Sequence, residues 1–140
     1  MTKNEFKTVT KQWLNSKGFY KGKELEIEYL YQLSDFDISI YFSKDRFSEM
    51  FFFEIGFRLK DDSMGWGHVR VCVSNNIHGF YYEKWEKQDY IECLEEMYAV
   101  YIKPYFDLGI EMLKNIIAKP SFRGHDYLIH RQAIEKILKM

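Results

Sequence analysis

No stretch of the chain limits its fold as much as residues 50–60, which read Met-Phe-Phe-Phe-Glu-Ile-Gly-Phe-Arg-Leu-Lys. Phe51, Phe53, Ile55, Phe57 and Leu59 alternate with Phe52, Glu54, Gly56 and Arg58. A period of two in aromatic and branched side chains marks a strand with one dry face and one mostly polar face. So many rings need packed neighbours on both sides. The strand is therefore expected at the centre of an antiparallel sheet, with Phe53, Ile55 and Phe57 fully buried.

The segments around it repeat the signal. Residues 24–31 alternate Leu25, Ile27, Tyr29 and Tyr31 with Glu24, Glu26 and Glu28, and the glutamates are expected on a solvated, charge-protected edge. Residues 36–43 place Ile38, Ile40 and Phe42 inward and Asp37, Ser39 and Tyr41 outward. Val69, Val71 and Val73 alternate with His68, Arg70, Cys72 and Ser74 in a fourth strand. Residues 77–82 fit either a short strand or an aromatic loop. Before the strands, Phe6, Val9, Thr10, Trp13 and Leu14 form one helical stripe. Thr2 and Glu5 stand at capping-box spacing ahead of it, and Gly18 supplies the stop. Lys3, Lys7, Lys11 and Lys17 fall largely off that stripe and read as a solvated side.

After the strands the period becomes helical. Asp89 and Glu92 have capping-box spacing, and Tyr90, Ile91, Leu94, Met97, Tyr98 and Tyr101 follow as an apolar face. Pro104 either kinks this helix or starts another at its favoured first position. Leu108, Met112, Leu113, Ile116 and Ile117 continue the period until Lys119-Pro120. A last helix, capped by His125 or Asp126, carries Leu128, Ile129, Ala133, Ile134, Ile137 and Leu138. Strands segregated from helices, with short polar connections, predict an α+β fold. The expected architecture is an antiparallel four- to five-stranded meander packed by an N-terminal helix and two or three C-terminal helices. At 140 residues it reads as a single α+β domain over residues 1–140.

Composition narrows the function. The 20 basic residues are matched by 21 acidic ones, which argues against phosphate neutralisation and hence against nucleic acid. No apolar run has the length of a membrane span, and the N-terminus lacks the pattern of a signal peptide. Two cysteines make no disulfide framework, so a reduced, cytoplasmic protein is expected. Aromatics at 19% exceed ordinary usage and leave rings available for a surface.

Catalytic constellations are absent from the pattern. Cys72 and His68 share a strand face but stand about 13 Å apart by strand rise, too far for a nucleophile and its base. Cys93, inside a helix, reads as packing. His68, His78, His125 and His130 show no helical ligand spacing, so no metal is expected. Gly65-Trp66-Gly67 lacks the remaining elements of a phosphate cradle, and no cofactor is expected.

Two surfaces are left. The first is an acidic helix flank with neighbouring rings: Asp89, Glu92, Glu95 and Glu96 with Tyr81, Tyr82 and Trp85. Carboxylates of this kind mimic phosphate in nuclease inhibitors and speed encounter with a basic partner. The second is the outer sheet face, where parity gathers Tyr41, Phe52, Glu54, Arg58, His68 and Arg70, a mixture of charge and aromatics suited to a polar interface or ligand platform.

Gly18-Phe19 after a first helix, the alternating strands, the Phe-Phe-Glu-Ile-Gly centre and the late Ile-Lys-Pro-Tyr-Phe segment together resemble a group of small bacterial α+β proteins of unknown function. The resemblance covers most of the chain through structural motifs. It implies the antiparallel sheet and, by analogy of build, an immunity-type inhibitor of a bacterial toxin. The expected function is thus a non-enzymatic protein-interaction module with another protein as partner. A small-ligand-binding protein or enzyme with a pocket between sheet and helices is the alternative.

Overall fold

The first helix, α1 (Lys3–Ser16), starts where the capping spacing places it. The Thr2 hydroxyl accepts from the Glu5 amide at 3.1 Å, and the Glu5 carboxylate accepts from the Thr2 amide at 3.3 Å. Its whole predicted stripe is buried. The helix ends through Gly18, whose φ of +91° suits a residue without a side chain. The turn also brings the Tyr31 ring within 3.0 Å of where a Cβ at position 18 would sit.

The computed structural model describes residues 1–22, 28–34, 36–59, 67–70, 79–118 and 139, with the backbone alone at 57–59, 67–70, 113 and 116–118. Within that frame β1 (Tyr20–Lys21), β2 (Glu28–Gln32), β3 (Phe36–Lys44), β4 (Met50–Leu59) and β5 (Gly67–Arg70) pair antiparallel in chain order. This is the expected meander. A short β6 (Gly79–Tyr81) also pairs with β4, from Met50 to Phe52, beyond the stretch from Glu54 to Phe57 that pairs with β5. Of the ambiguous segment 77–82, residues 79–81 are therefore a strand, Tyr82 opens one 3-10 turn (Tyr82–Lys84), and 77–78 lie outside the described residues. The alternating positions 24–27, Trp66, Cys72, His78 and the predicted last helix with His125 and His130 lie outside the described residues.

Register puts Phe42 opposite Phe53, Ile40 opposite Ile55, and Phe51 opposite Phe80. Each of these six is buried as the period-two reading requires. Phe6 from α1 sits over this face, with ring centroids 5.8 Å from Phe42, 5.1 Å from Phe51 and 5.2 Å from Tyr90. Edge-to-face and tilted contacts at these distances are the favoured arrangement of aromatic quadrupoles.

The second helix, α2 (Lys87–Met97), begins a turn earlier than the Asp89/Glu92 spacing suggests. Its cap is Glu86, with no side-chain capping bond, and Asp89 falls in the first turn. There its charge still suits the helix dipole. Tyr90, Leu94 and Met97 are buried, as expected. One π turn, Tyr98–Ile102, joins α2 to α3 (Lys103–Leu108), which carries Pro104 in its first turn. The apolar period does not continue unbroken beyond it. Gly109, at φ +55°, separates α3 from α4 (Ile110–Ala118), and Leu108 is left exposed. Phe106 of α3 packs on Tyr31 with ring centroids 4.6 Å apart, which ties the helical layer to the β2 side of the sheet.

Cys93 packs on the same layer, its sulfur 3.9 Å from the Met97 sulfur. Burial, reinforced by the Glu96 carboxylate, pushes its thiol up from 9.0 to about 11. Two pH units remove about 99% of the reactive thiolate. Iodoacetamide at pH 8 should therefore label Cys93 about 100-fold more slowly in the folded protein than in urea, read peptide by peptide in a mass spectrometer. Equal rates would show that the thiol is accessible and ordinary.

Candidate functional site

Opposed residues of an antiparallel pair project to the same side of the sheet. The register therefore writes the outer face as rows. Glu28, Tyr41, Glu54 and Arg70 occupy one row. Leu30, Ser39, Gly56 and His68 occupy the next. Gln32, Asp37 and Arg58 occupy the third. The predicted set Tyr41, Glu54, Arg58, His68 and Arg70 is thus gathered at neighbouring register positions, with strands about 4.8 Å apart. Acids dominate on β2 and β3, whereas the arginines and the histidine belong to β4 and β5.

The face is drier than the sequence implies. Glu28 is 2% exposed, Asp37 5% and Ser39 0%. The expectation that the β2 glutamates are solvated is overturned at Glu28. The Gly22 amide donates to the Glu28 carbonyl at 2.8 Å. A Cβ at position 22 would stand only 2.6 Å from the Glu28 carboxylate, so the bare backbone of Gly22 closes over that acid. Glu28, Asp37, Tyr41 and Glu54 are all engaged in contacts. One further bond joins Glu54 to the Ser43 hydroxyl at 3.4 Å.

Ser39 differs. Its hydroxyl is the one buried side-chain oxygen or nitrogen without a hydrogen-bond partner among the described residues. A desolvated hydroxyl left unmet costs about 1–3 kcal/mol. Across the strand pair stands Gly56, also buried, in the interior of β4. Glycine inside a strand weakens it and marks a place where something approaches closely. Sequence reasoning placed Ser39 outward but did not single it out, because the two small residues become opposite only once the register is known. Among the described residues no cluster of three metal-ligating side chains occurs, and no helix is long and apolar enough to cross a membrane.

The acidic flank divides. Asp89, Glu92 and Glu96 are exposed. Glu95 is exposed too but is already engaged within the fold: it accepts from the Trp13 indole at 2.8 Å and from the Lys17 ammonium at 2.9 Å. Lys17 also stands 4.6 Å from the centroid of the Tyr98 ring, so it belongs to the α1–α2 contact and not to a free lysine face. The rings divide as well. Tyr82 is buried and donates to the Glu49 carboxylate at 3.0 Å. Burial first, then that carboxylate, raises its phenol. Trp85 packs on Phe80 with centroids 5.3 Å apart. Only Tyr81 remains well exposed, at 38%, with the Lys84 ammonium 4.9 Å from its ring centroid.

The Lys17 ammonium, aided by the Trp13 indole and opposed by partial burial, holds the Glu95 carboxyl below its ordinary 4.5. A depressed folded-state value means that the ionised form stabilises the fold above that pH. The contribution is lost as pH falls through the lowered value. Glu95→Gln should therefore melt about 1–4 °C lower than the parent at pH 7, with the gap closing below pH 4. An offset independent of pH would show that the charge plays no part.

A surface ring that sequence reading missed lies at the β3–β4 turn. Phe47 is 89% exposed. Its turn is closed by the Asp45 amide donating to the Met50 carbonyl at 2.7 Å and by the Ser48 hydroxyl donating to Asp45 at 2.6 Å. The Arg46 guanidinium stands 6.0 Å from the Phe47 ring centroid. Register then places Met50 opposite Tyr81 and Phe52 opposite Gly79 on the same outer face. An apolar strip thus runs from the half-buried Phe52 and Met50 to Tyr81, at the end of the sheet that carries Phe47.

No protein-family model, no curated protein and no solved structure matches the chain.

Proposed function

We propose that the protein is a non-enzymatic binding module that docks another protein on the outer end of its sheet, through Phe47 and Tyr81 with Arg46 and Lys84 around them. The observation that carries this reading is Phe47, almost fully exposed on a turn whose own hydrogen bonds hold it in place. The backbone that presents the ring is already closed into a turn, so little backbone entropy is lost on binding. Aromatic residues, Met and Arg are the types enriched in interface centres, and Tyr and Arg dominate measured hot spots. An immunity-type inhibitor is a narrower form of the same reading, in which the exposed Asp89, Glu92 and Glu96 would steer a basic partner.

The test uses two immobilised proteins, the parent and Phe47→Ser/Tyr81→Ser, each challenged with extract of the native host. Both side chains are exposed, so the double variant should melt within a few degrees of the parent. The expected result is a protein retained by the parent and lost from the variant. Identical recovery from both would remove this surface from consideration. The same capture with Glu92→Lys/Glu96→Lys at low salt, where charge effects are largest, reports on the acidic flank separately.

A further inference from the structure

Charge is arranged unevenly at the end of the sheet that carries Phe47. The turn at 45–50 and the 3-10 turn at 82–84 hold the carboxylates Asp45, Glu49 and Glu83. Two of these are engaged within the fold. Asp45 accepts from the Ser48 hydroxyl at 2.6 Å. Glu49 accepts from the Lys44 ammonium at 3.2 Å and from the buried Tyr82 hydroxyl at 3.0 Å. Lys3 of α1 is close enough to act on the same carboxylate. Only Glu83 lacks such a bond among the described residues.

The cations are placed the other way. Arg46 and Lys84 are exposed, and among the described residues each meets a ring and no carboxylate: Arg46 the ring of Phe47, Lys84 that of Tyr81. A cation beside an exposed ring keeps its hydrogen-bond donors for a second molecule, and charge-assisted bonds to a carboxylate are the strongest that such donors make. The Tyr82–Glu49 bond ties the two turns together, so both ring–cation pairs belong to one frame. A carboxylate arriving beside either ring therefore meets an unanswered positive charge. An anionic bilayer also attracts rings and cations, but it would press Glu83 against its own headgroups. A protein partner can leave Glu83 at a wet rim.

We propose that the partner is acidic: a protein segment with an apolar socket for the Phe47 ring and with Asp or Glu side chains that pair with Arg46 and Lys84. This rests on the docking surface proposed above and adds the chemistry of what it docks. An acidic partner is the opposite of the basic one that Asp89, Glu92 and Glu96 would steer, so one experiment decides between the two.

The probe is a phage library of random peptides, selected on the immobilised parent and counter-selected on Phe47→Ser/Tyr81→Ser. Peptides that place Asp or Glu beside Leu, Ile or Phe should be enriched. Synthesised and measured by calorimetry at low salt, they should bind Arg46→Glu/Lys84→Glu about tenfold or more weakly than the parent, with Arg46→Gln/Lys84→Gln falling between. The gap should narrow at about 0.5 M salt, where the screening length shrinks to about 4 Å. All these substitutions fall on exposed side chains, so each variant should melt within a few degrees of the parent. Selected peptides that need Phe47 and Tyr81 but carry no excess of acid, or are rich in Lys and Arg, overturn the acidic partner and leave the docking surface standing. Undiminished binding to Arg46→Glu/Lys84→Glu does the same. A selection that yields no peptide dependent on Phe47 and Tyr81 overturns both. Parent that sediments with vesicles of phosphatidylglycerol, while Arg46→Glu/Lys84→Glu does not, also overturns the acidic partner, by making this surface a membrane contact.

Discussion

Replacing Phe53 with alanine should cost about 3–5 kcal/mol, enough to lower the melting temperature by roughly 10–20 °C. The ring has no exposed surface and meets Phe42 edge-to-face at 5.1 Å across the β3–β4 pair. Three buried rings, Phe42, Phe51 and Phe6, are joined to it directly or through one another, and none can collapse into the gap without breaking its own contacts. The cost is therefore lost transfer energy plus a cavity that relaxation cannot fill. A domain's whole stability is about 5–15 kcal/mol, so the variant should be marginal. Urea unfolding followed by tryptophan fluorescence measures the change. A loss under about 1 kcal/mol, the range of surface substitutions, would mean that the face is not packed and that β4 is not central.

The dry side of the sheet was legible because periodicity reports where side chains point, and apolar side chains leave little doubt about where they are wanted. Phe51, Phe53 and Ile55 took the predicted side, as did Ile38, Ile40 and Phe42. The opposite side was not legible in the same way. A polar residue on the alternate phase is as compatible with water as with a buried network. Glu28, Asp37 and Ser39 proved to be buried, which depends on what lies above them and not on their own spacing. The acidic flank shows the same limit at longer range. Glu95 stands one position from Glu96, yet it alone reaches Trp13 and Lys17, residues about 80 positions earlier in the chain. Nothing in the local pattern distinguishes the two. Phe47 escaped notice for the reverse reason. In a chain with 12 phenylalanines the natural assumption is a core ring, and only the closed turn shows that it points outward.

Helix boundaries failed where signals competed. Capping-box spacing occurs by chance, and at Asp89/Glu92 the chain had already turned helical after Glu86. At Pro104 the sequence leaves a kink or a new helix open, and the backbone takes the second, with Pro104 in the first turn of α3. Beyond it the apolar period is expected to run on through Leu108 and Met112, but Gly109, at positive φ, breaks the helix there. The π turn between α2 and α3, Tyr98–Ile102, keeps Ile102 buried across the junction. Where a continuous stripe meets residues that forbid a continuous helix, the covalent restriction prevails.

The buried pair Thr10 and Tyr90 should respond to mutation unequally. The Thr10 hydroxyl donates to the Phe6 carbonyl at 2.7 Å and shares a 2.6 Å hydrogen bond with the Tyr90 hydroxyl. A hydroxyl has one proton, and the carbonyl can only accept it. The Tyr90 phenol is therefore the donor to Thr10. Thr10→Val keeps the shape but leaves that phenol buried with nothing to accept its proton, at a cost of about 2–3 kcal/mol. Tyr90→Phe leaves Thr10 still bonded to Phe6 and should cost only about 0.5–1.5 kcal/mol. The double variant has no orphaned donor, so it should be more stable than the sum of the two by about 1 kcal/mol or more. Burial also raises the phenol far above its ordinary 10.0, since ionisation would place a charge in the α1–α2 contact. In alkaline titration Tyr90 should accordingly ionise only as the protein unfolds. Additive single effects of equal size, or a phenol that titrates in the native state, would show that the helices are held there by packing alone.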